Sequence, residues 1–190
     1  MTLELERPVT DATLWSGAAL LVVIDAALLP LVHRLVPTSR FKRLRILVPL
    51  VSFAFWTAIW LWAMTTFWRT VYSFVFPSAL RWLLPPAFGL FYALAAAVLF
   101  RLAARLDRYA AVGFVLFGAV LGPVTHVFAV WRGIVTRPPL MSGASPAAAV
   151  AVSFPEFGLY WSVILLAALA LSRIRDGGPA AGVPSPQGRP

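Results

Sequence analysis

The amino-acid sequence predicts an all-α integral membrane protein, a bundle of five transmembrane helices. Three observations carry this. The 190 residues are 61% hydrophobic and 12% charged, with a mean hydropathy of +0.84. A soluble domain of this size is nearer half apolar and a quarter charged, and such an excess cannot be hidden in one water-soluble core. Second, five apolar runs are each long enough to cross about 30 Å of hydrocarbon at about 1.5 Å per residue. Third, the basic residues behind the formal net charge of +9 stand between those runs, as topology signals do. The lipid bilayer is therefore the expected partner, and nucleic acid is not.

The elements follow in chain order. Residues 1–12 form a short extracytoplasmic N-terminus. Its opening "MTLELERPVTD" is acidic instead of basic, and no small-residue cleavage site follows, so the first apolar run is a span and not a cleaved signal peptide. The spans are placed near Leu14–Val32, Ile46–Phe67, Leu84–Ala104, Ala110–Trp131 and Ala148–Leu171, making residues 13–172 a single transmembrane domain. Between the second and third spans, "TVYSFVFPSALRWLLPP" is apolar and aromatic, too short to cross twice, and bounded by Arg69 and Arg81. It reads as an interfacial segment; the competing reading is a sixth, broken span over residues 71–84, which would reverse everything after it. The tail, 173–190, ends in "DGGPAAGVPSPQGRP", has little apolar surface to bury and is expected to be disordered.

Orientation comes from the cations. Arg34, Arg40, Lys42, Arg43 and Arg45, with Arg101, Arg105 and Arg108 and then Arg173, Arg175 and Arg189, fall on one side; Arg7, Arg69, Arg81, Arg132 and Arg137 fall on the other. The positive-inside rule then puts the N-terminus outside and the C-terminus in the cytoplasm. Arg-, Ala- and Pro-rich usage suggests a bacterial inner membrane.

Several chemistries are excluded. With no cysteine there are no disulfides, thiolate metal sites or CxxC redox pairs. The one lysine, Lys42, lies in a connection, so no retinal Schiff base can form mid-membrane. No Walker loop, GxGxxG or HExxH occurs. His33 and His126 fall at opposite ends of the bundle and cannot ligate one haem iron within a subunit. No cofactor and no metal is expected.

Charged groups in hydrocarbon cost at least about 2.5–3.5 kcal/mol at a helix centre, which singles out Asp25, His126 and Glu156. Counting from the cytoplasmic arginines puts His126 and Glu156 at one level in the outer leaflet, with Asp25 beneath them near the midplane. Asp25 stands in "LLVVIDAALLP" with no polar neighbour three or four residues away. Unpaired, its carboxyl is largely neutral; paired, its partner comes from another helix or subunit. Either state suits a proton-coupled site, or a general acid if the chain is an enzyme, for which Asp25 and Glu156 are the catalytic candidates. His126 shares a small-residue stripe with Gly118 and Gly122, a GxxxG pattern that lets another helix come close. It reads as a bond to a neighbouring helix, as a proton-handling or ligand-contacting group, or, least of all, as a metal ligand. Glu156 follows Pro155, either kinking a span begun near Ala148 or opening a helix at Pro155.

Trp56 and Trp60 lie one turn apart and too deep for the interfacial belt; Tyr92 and Tyr160 stand in the same outer half. With His126 they are the ligand-binding candidates, the wall of an aromatic cleft. The expectation is a protein that binds or transports a lipophilic or aromatic small molecule, proton-coupled through Asp25, as a homodimer or with a partner subunit. The alternatives are an accessory or assembly subunit of a larger membrane complex, and an intramembrane isomerase or cyclase acting on a lipid or prenylated substrate. Five spans, many tryptophans and the ten residues "PPAFGLFYAL" of the third span resemble the tryptophan-rich sensory (translocator) proteins, which implies porphyrin or sterol binding. The resemblance falls in a different span and carries no site residue over.

Overall fold

The structure, a computed structural model, describes residues 10–66, 76–131 and 145–176, and of 126–131, 146, 175 and 176 the backbone alone. Every regular element among them is helical, with no strand. Helix α1 is Asp11–Leu35, α2 is Thr38–Arg43, α3 is Leu47–Thr66, α4 is Leu84–Ala103, α5 is Ala110–Trp131 and α6 is Pro146–Asp176.

Helix ends follow local chemistry. Thr10 caps α1, its side chain accepting from the Thr13 backbone N–H at 3.3 Å, and Asp11 sits in the first turn where the helix dipole favours a carboxylate. Pro37 separates α1 from α2, and a 3-10 turn at Ser78–Leu80 follows Pro77. Pro85 and Pro86 stand in the first turn of α4, where a missing N–H costs no helical bond. Ser145 caps α6 through the Ala148 N–H at 3.2 Å. Pro30, Pro123 and Pro155 lie inside α1, α5 and α6 without ending them.

Four helical stretches are long and apolar enough to cross a membrane: Asp11–Leu35, Leu47–Thr66, Leu84–Thr125 and Ala147–Ile174. They make the chain a multi-pass membrane protein. The third stretch is 42 residues, about 63 Å at about 1.5 Å per residue and twice the hydrocarbon thickness. It is folded back on itself. At Asp107, in the 3-10 segment Ala104–Tyr109, the backbone turns to φ 45°, ψ −114°, and Phe100 of α4 then meets Phe114 of α5 edge-on at 6.2 Å. The stretch is therefore two passes.

Residue pairings fix how the passes alternate. Ser52 bonds to the Tyr92 carbonyl at 3.1 Å while Trp60, further along α3, stacks on Phe88, earlier in α4, so α3 and α4 are antiparallel. A Cβ on Gly118 would strike Trp161 and one on Gly122 would strike Phe157, so α5 and α6 are antiparallel too. Helices α1 and α6 are parallel. The Asp11 carboxylate accepts from the Ser145 N–H at 2.6 Å, and Asp25, fourteen residues on, meets Gly158, thirteen residues on. Five alternating passes satisfy all of these pairings. A complete sixth pass between α3 and α4 would make those two parallel. Residues 67–75, between α3 and α4, lie outside the description.

The core runs through the middle of α3–α6. Phe41 of α2 is fully buried, stacked on Phe100 at 4.1 Å with Phe114 edge-on, so α2 is pinned beneath the bundle. Helix α1 is peripheral: of its 25 residues only Ala18 and Val32 are buried. Nine exposed basic residues, from Arg34 to Arg173, collect at the end formed by α2 and the Asp107 turn, as the sequence expects.

Two boundaries differ from the sequence expectation. The first pass extends three residues beyond each limit set from hydropathy, because Thr10 caps it early and nothing stops it before Pro37. The tail begins later than residue 173: α6 runs to Asp176. Residues 1–9, 132–144 and 177–190, and the expectations that fall on them, lie outside the description.

Candidate functional site

Trp56, in the middle of α3, is the hub of an aromatic cluster. Its indole stacks on Tyr92 of α4 at 4.0 Å with an angle of 16° between planes. From α6, Phe157 stands 5.2 Å away, Tyr160 meets it edge-on at 5.4 Å, and Trp161 lies at 6.5 Å. Phe55 completes the group, 5.6 Å from Trp56 and 5.7 Å from Tyr160. Such pairs add about 0.5–1.5 kcal/mol each beyond the area they bury. Trp56, Tyr92, Phe157 and Trp161 are buried; Tyr160 and Phe55 are half-buried. The rings are thus packed on one another within the bundle, and the edge facing outward is the Tyr160–Phe55 side.

Polar groups line that edge. The Tyr160 hydroxyl donates to Glu156 Oε1 at 2.6 Å, one turn back on α6. Charge-assisted O–H···O bonds have this length. Glu156 Oε2 takes no part in it. On α5, the Thr125 hydroxyl donates to the Leu121 and Gly122 carbonyls at 3.0 and 2.9 Å. Val163, one turn past Tyr160, is 41% exposed. The Glu156–Tyr160 pair therefore sits where the packed interior gives way to the lipid-facing surface.

Asp25 belongs to a different face. Its carboxyl rests on Gly158, its Cγ 3.1 Å from where a Cβ would stand, and Oδ1 is buried without a hydrogen-bond partner among the described residues. Glu156 and Tyr160 are each two positions from Gly158, about 200° around the helix, so α6 stands between Asp25 and the pair. The two candidate catalytic carboxyls do not face each other.

Asp25 does not lie well below Glu156. Its contact, Gly158, is two residues from Glu156, an axial difference of about 3 Å. The estimate from flanking arginines assumed that Arg34 and Arg173 share a level. In the parallel register of α1 and α6, Arg34 matches Ala167, and Arg173 projects about 9 Å further. Glu156 also does not open its helix. With α6 starting at Pro146, it is ten residues in, beyond the reach of the N-terminal dipole.

The remaining candidates divide. Trp60 is half-buried and stacked on Phe88 at 3.8 Å, one turn from Trp56 along the α3–α4 seam. His126 lies in α5 four residues past Gly122, and its side chain is outside the description. Sequence reasoning missed Thr125, Phe157 and Gly158. Gly158 had a legible signal, since a lone glycine in a long apolar helix commonly marks a close approach; Phe157 had none beyond being apolar.

The chain matches no family model, no curated protein and no solved structure. The resemblance to the translocator proteins therefore gains no support, and the function rests on the geometry alone.

Proposed function

We propose that this multi-pass membrane protein binds or transports a lipophilic or aromatic small molecule taken from the bilayer, with the Glu156–Tyr160 pair as its polar anchor. The observation that carries this is the 2.6 Å bond from Tyr160 to Glu156 at the half-buried edge of the Trp56 cluster. A carboxyl in hydrocarbon is expensive, and one hydrogen bond engages only one of its oxygens. A ligand with an amine or other donor head would bond to Oε2 and lay its apolar body against Phe55 and Tyr160. Ring faces attract such cations. Asp25 supplies proton coupling in this scheme by charging or discharging against Gly158, which alters how α1 seats on α6.

The test is mass spectrometry of the protein gently purified in nanodiscs. A small molecule should co-purify with the wild type, be lost in Glu156→Gln and be reduced in Tyr160→Phe. Recovery of the same molecule from all three would reject the site.

One observation favours a second role, as an accessory subunit of a larger membrane complex: α1 buries only Ala18 and Val32, leaving most of a helix free for another protein. A stoichiometric polypeptide in the same preparation, with no small molecule, is the outcome that selects it.

A further inference from the structure

At the end of the bundle opposite the Glu156–Tyr160 edge, α2 and the Asp107 turn are clamped together. The Thr38 hydroxyl donates to the Asp107 carbonyl at 2.9 Å. Phe41 is buried against Phe100, which turns its helical neighbours Arg40, Lys42 and Arg43 outward, all exposed. On the turn, Arg105 and Arg108 are exposed as well, and Arg108 lies 4.8 Å over the Tyr109 ring, which in turn stacks on His33 at 5.7 Å. Of the described residues at this end, two are acidic, Asp107 and Asp176, and ten are basic. So dense an excess of exposed cations on short, anchored elements is complementary to an anion. Its position, at the ends of five apolar passes, is where phospholipid headgroups lie.

We infer that α2 and the Asp107 turn form a binding site for an acidic phospholipid, its phosphate held by Arg40, Lys42, Arg43, Arg105 and Arg108 and its acyl chains beside the passes. The buried Phe41 fixes α2 against the bundle, with Arg40 and Lys42 flanking it; Tyr109 gives Arg108 a ring to rest on. Anionic membrane surfaces attract each nearby cation by roughly a fivefold gain in binding, so three removed together cost on the order of a hundredfold. This site is independent of the proposed ligand edge, and either can fail alone.

The experiment is native mass spectrometry of delipidated protein in an uncharged detergent. The protein is titrated with dioleoyl phosphatidylglycerol, with dioleoyl phosphatidylcholine and with inorganic phosphate. The wild type should retain phosphatidylglycerol at least tenfold better than phosphatidylcholine, and phosphate should not displace it. The variant Arg40→Gln/Lys42→Gln/Arg43→Gln should lose that preference, whereas the charge-keeping Arg40→Lys/Arg43→Lys should keep it, which separates lost binding from lost folding. Equal retention of both lipids by the wild type, displacement by phosphate, or loss in the lysine variant would overturn the proposal.

Discussion

The Asp25 carboxyl occupies the space that a side chain on Gly158 would take. A buried carboxyl on α1 and a missing side chain on α6 are one arrangement, and each depends on the other. A methyl at 158 pushes Asp25, and with it α1, away from α6. Overpacking of this kind costs about 1–3 kcal/mol. Gly158→Ala should lower the thermal midpoint in detergent by several degrees. Gly17→Ala, whose added methyl meets nothing within 4 Å, should leave it unchanged or raise it slightly.

The seam between α5 and α6 is set by rings lying over glycines. A Cβ on Gly118 would come within 2.6 Å of the Trp161 indole nitrogen, and one on Gly122 within 2.9 Å of the Phe157 Cβ. Gly122→Ala and Phe157→Ala should each destabilise the protein, the second by about 3–5 kcal/mol. The double variant should cost clearly less than the two added together, because the smaller residue makes room for the methyl. Strict additivity in urea or thermal unfolding would place the clash elsewhere.

At Asp107 a residue with a side chain adopts φ 45°. Conformations that suit glycine better cost other residues about 1–3 kcal/mol. Asp107→Gly should therefore raise the thermal midpoint, while Asp107→Val should lower it, with the Thr38 bond to the 107 carbonyl available in both.

Much of this fold was legible from the sequence. Hydropathy predicted an all-α bundle of long apolar helices, because a helix crossing a bilayer must be apolar over its length. The GxxxG at Gly118 and Gly122 correctly marked a close helix contact. The site was legible in part: Trp56, Tyr92, Glu156 and Tyr160 do come together. Two things were out of reach. Which face of α6 each residue presents depends on where α1 and α3 pack, and single-helix spacing does not contain that. The level of Asp25 was misjudged because arginines at helix ends need not be coplanar when one helix extends past another.

Removing the anchor should separate binding from stability. Tyr160→Phe deletes one hydrogen bond at a half-buried edge, worth about 0.5–1.5 kcal/mol net, whereas Glu156→Gln keeps a carbonyl acceptor for the Tyr160 hydroxyl and removes the charge. The midpoint of unfolding should move little in either variant. Ligand retention should fall most in Glu156→Gln, which removes the charged acceptor. A collapse in stability with unchanged ligand would make the pair a structural tie.

Photolabelling in nanodiscs with a diazirine-bearing alkylamine, followed by peptide mapping, locates the bound ligand. Labelling concentrated on Phe55, Tyr160 and Val163, and abolished by Glu156→Gln, is the result expected of a ligand site at the Glu156–Tyr160 edge. Labelling spread evenly over the lipid-exposed residues of all five passes, and the same in Glu156→Gln, would contradict it.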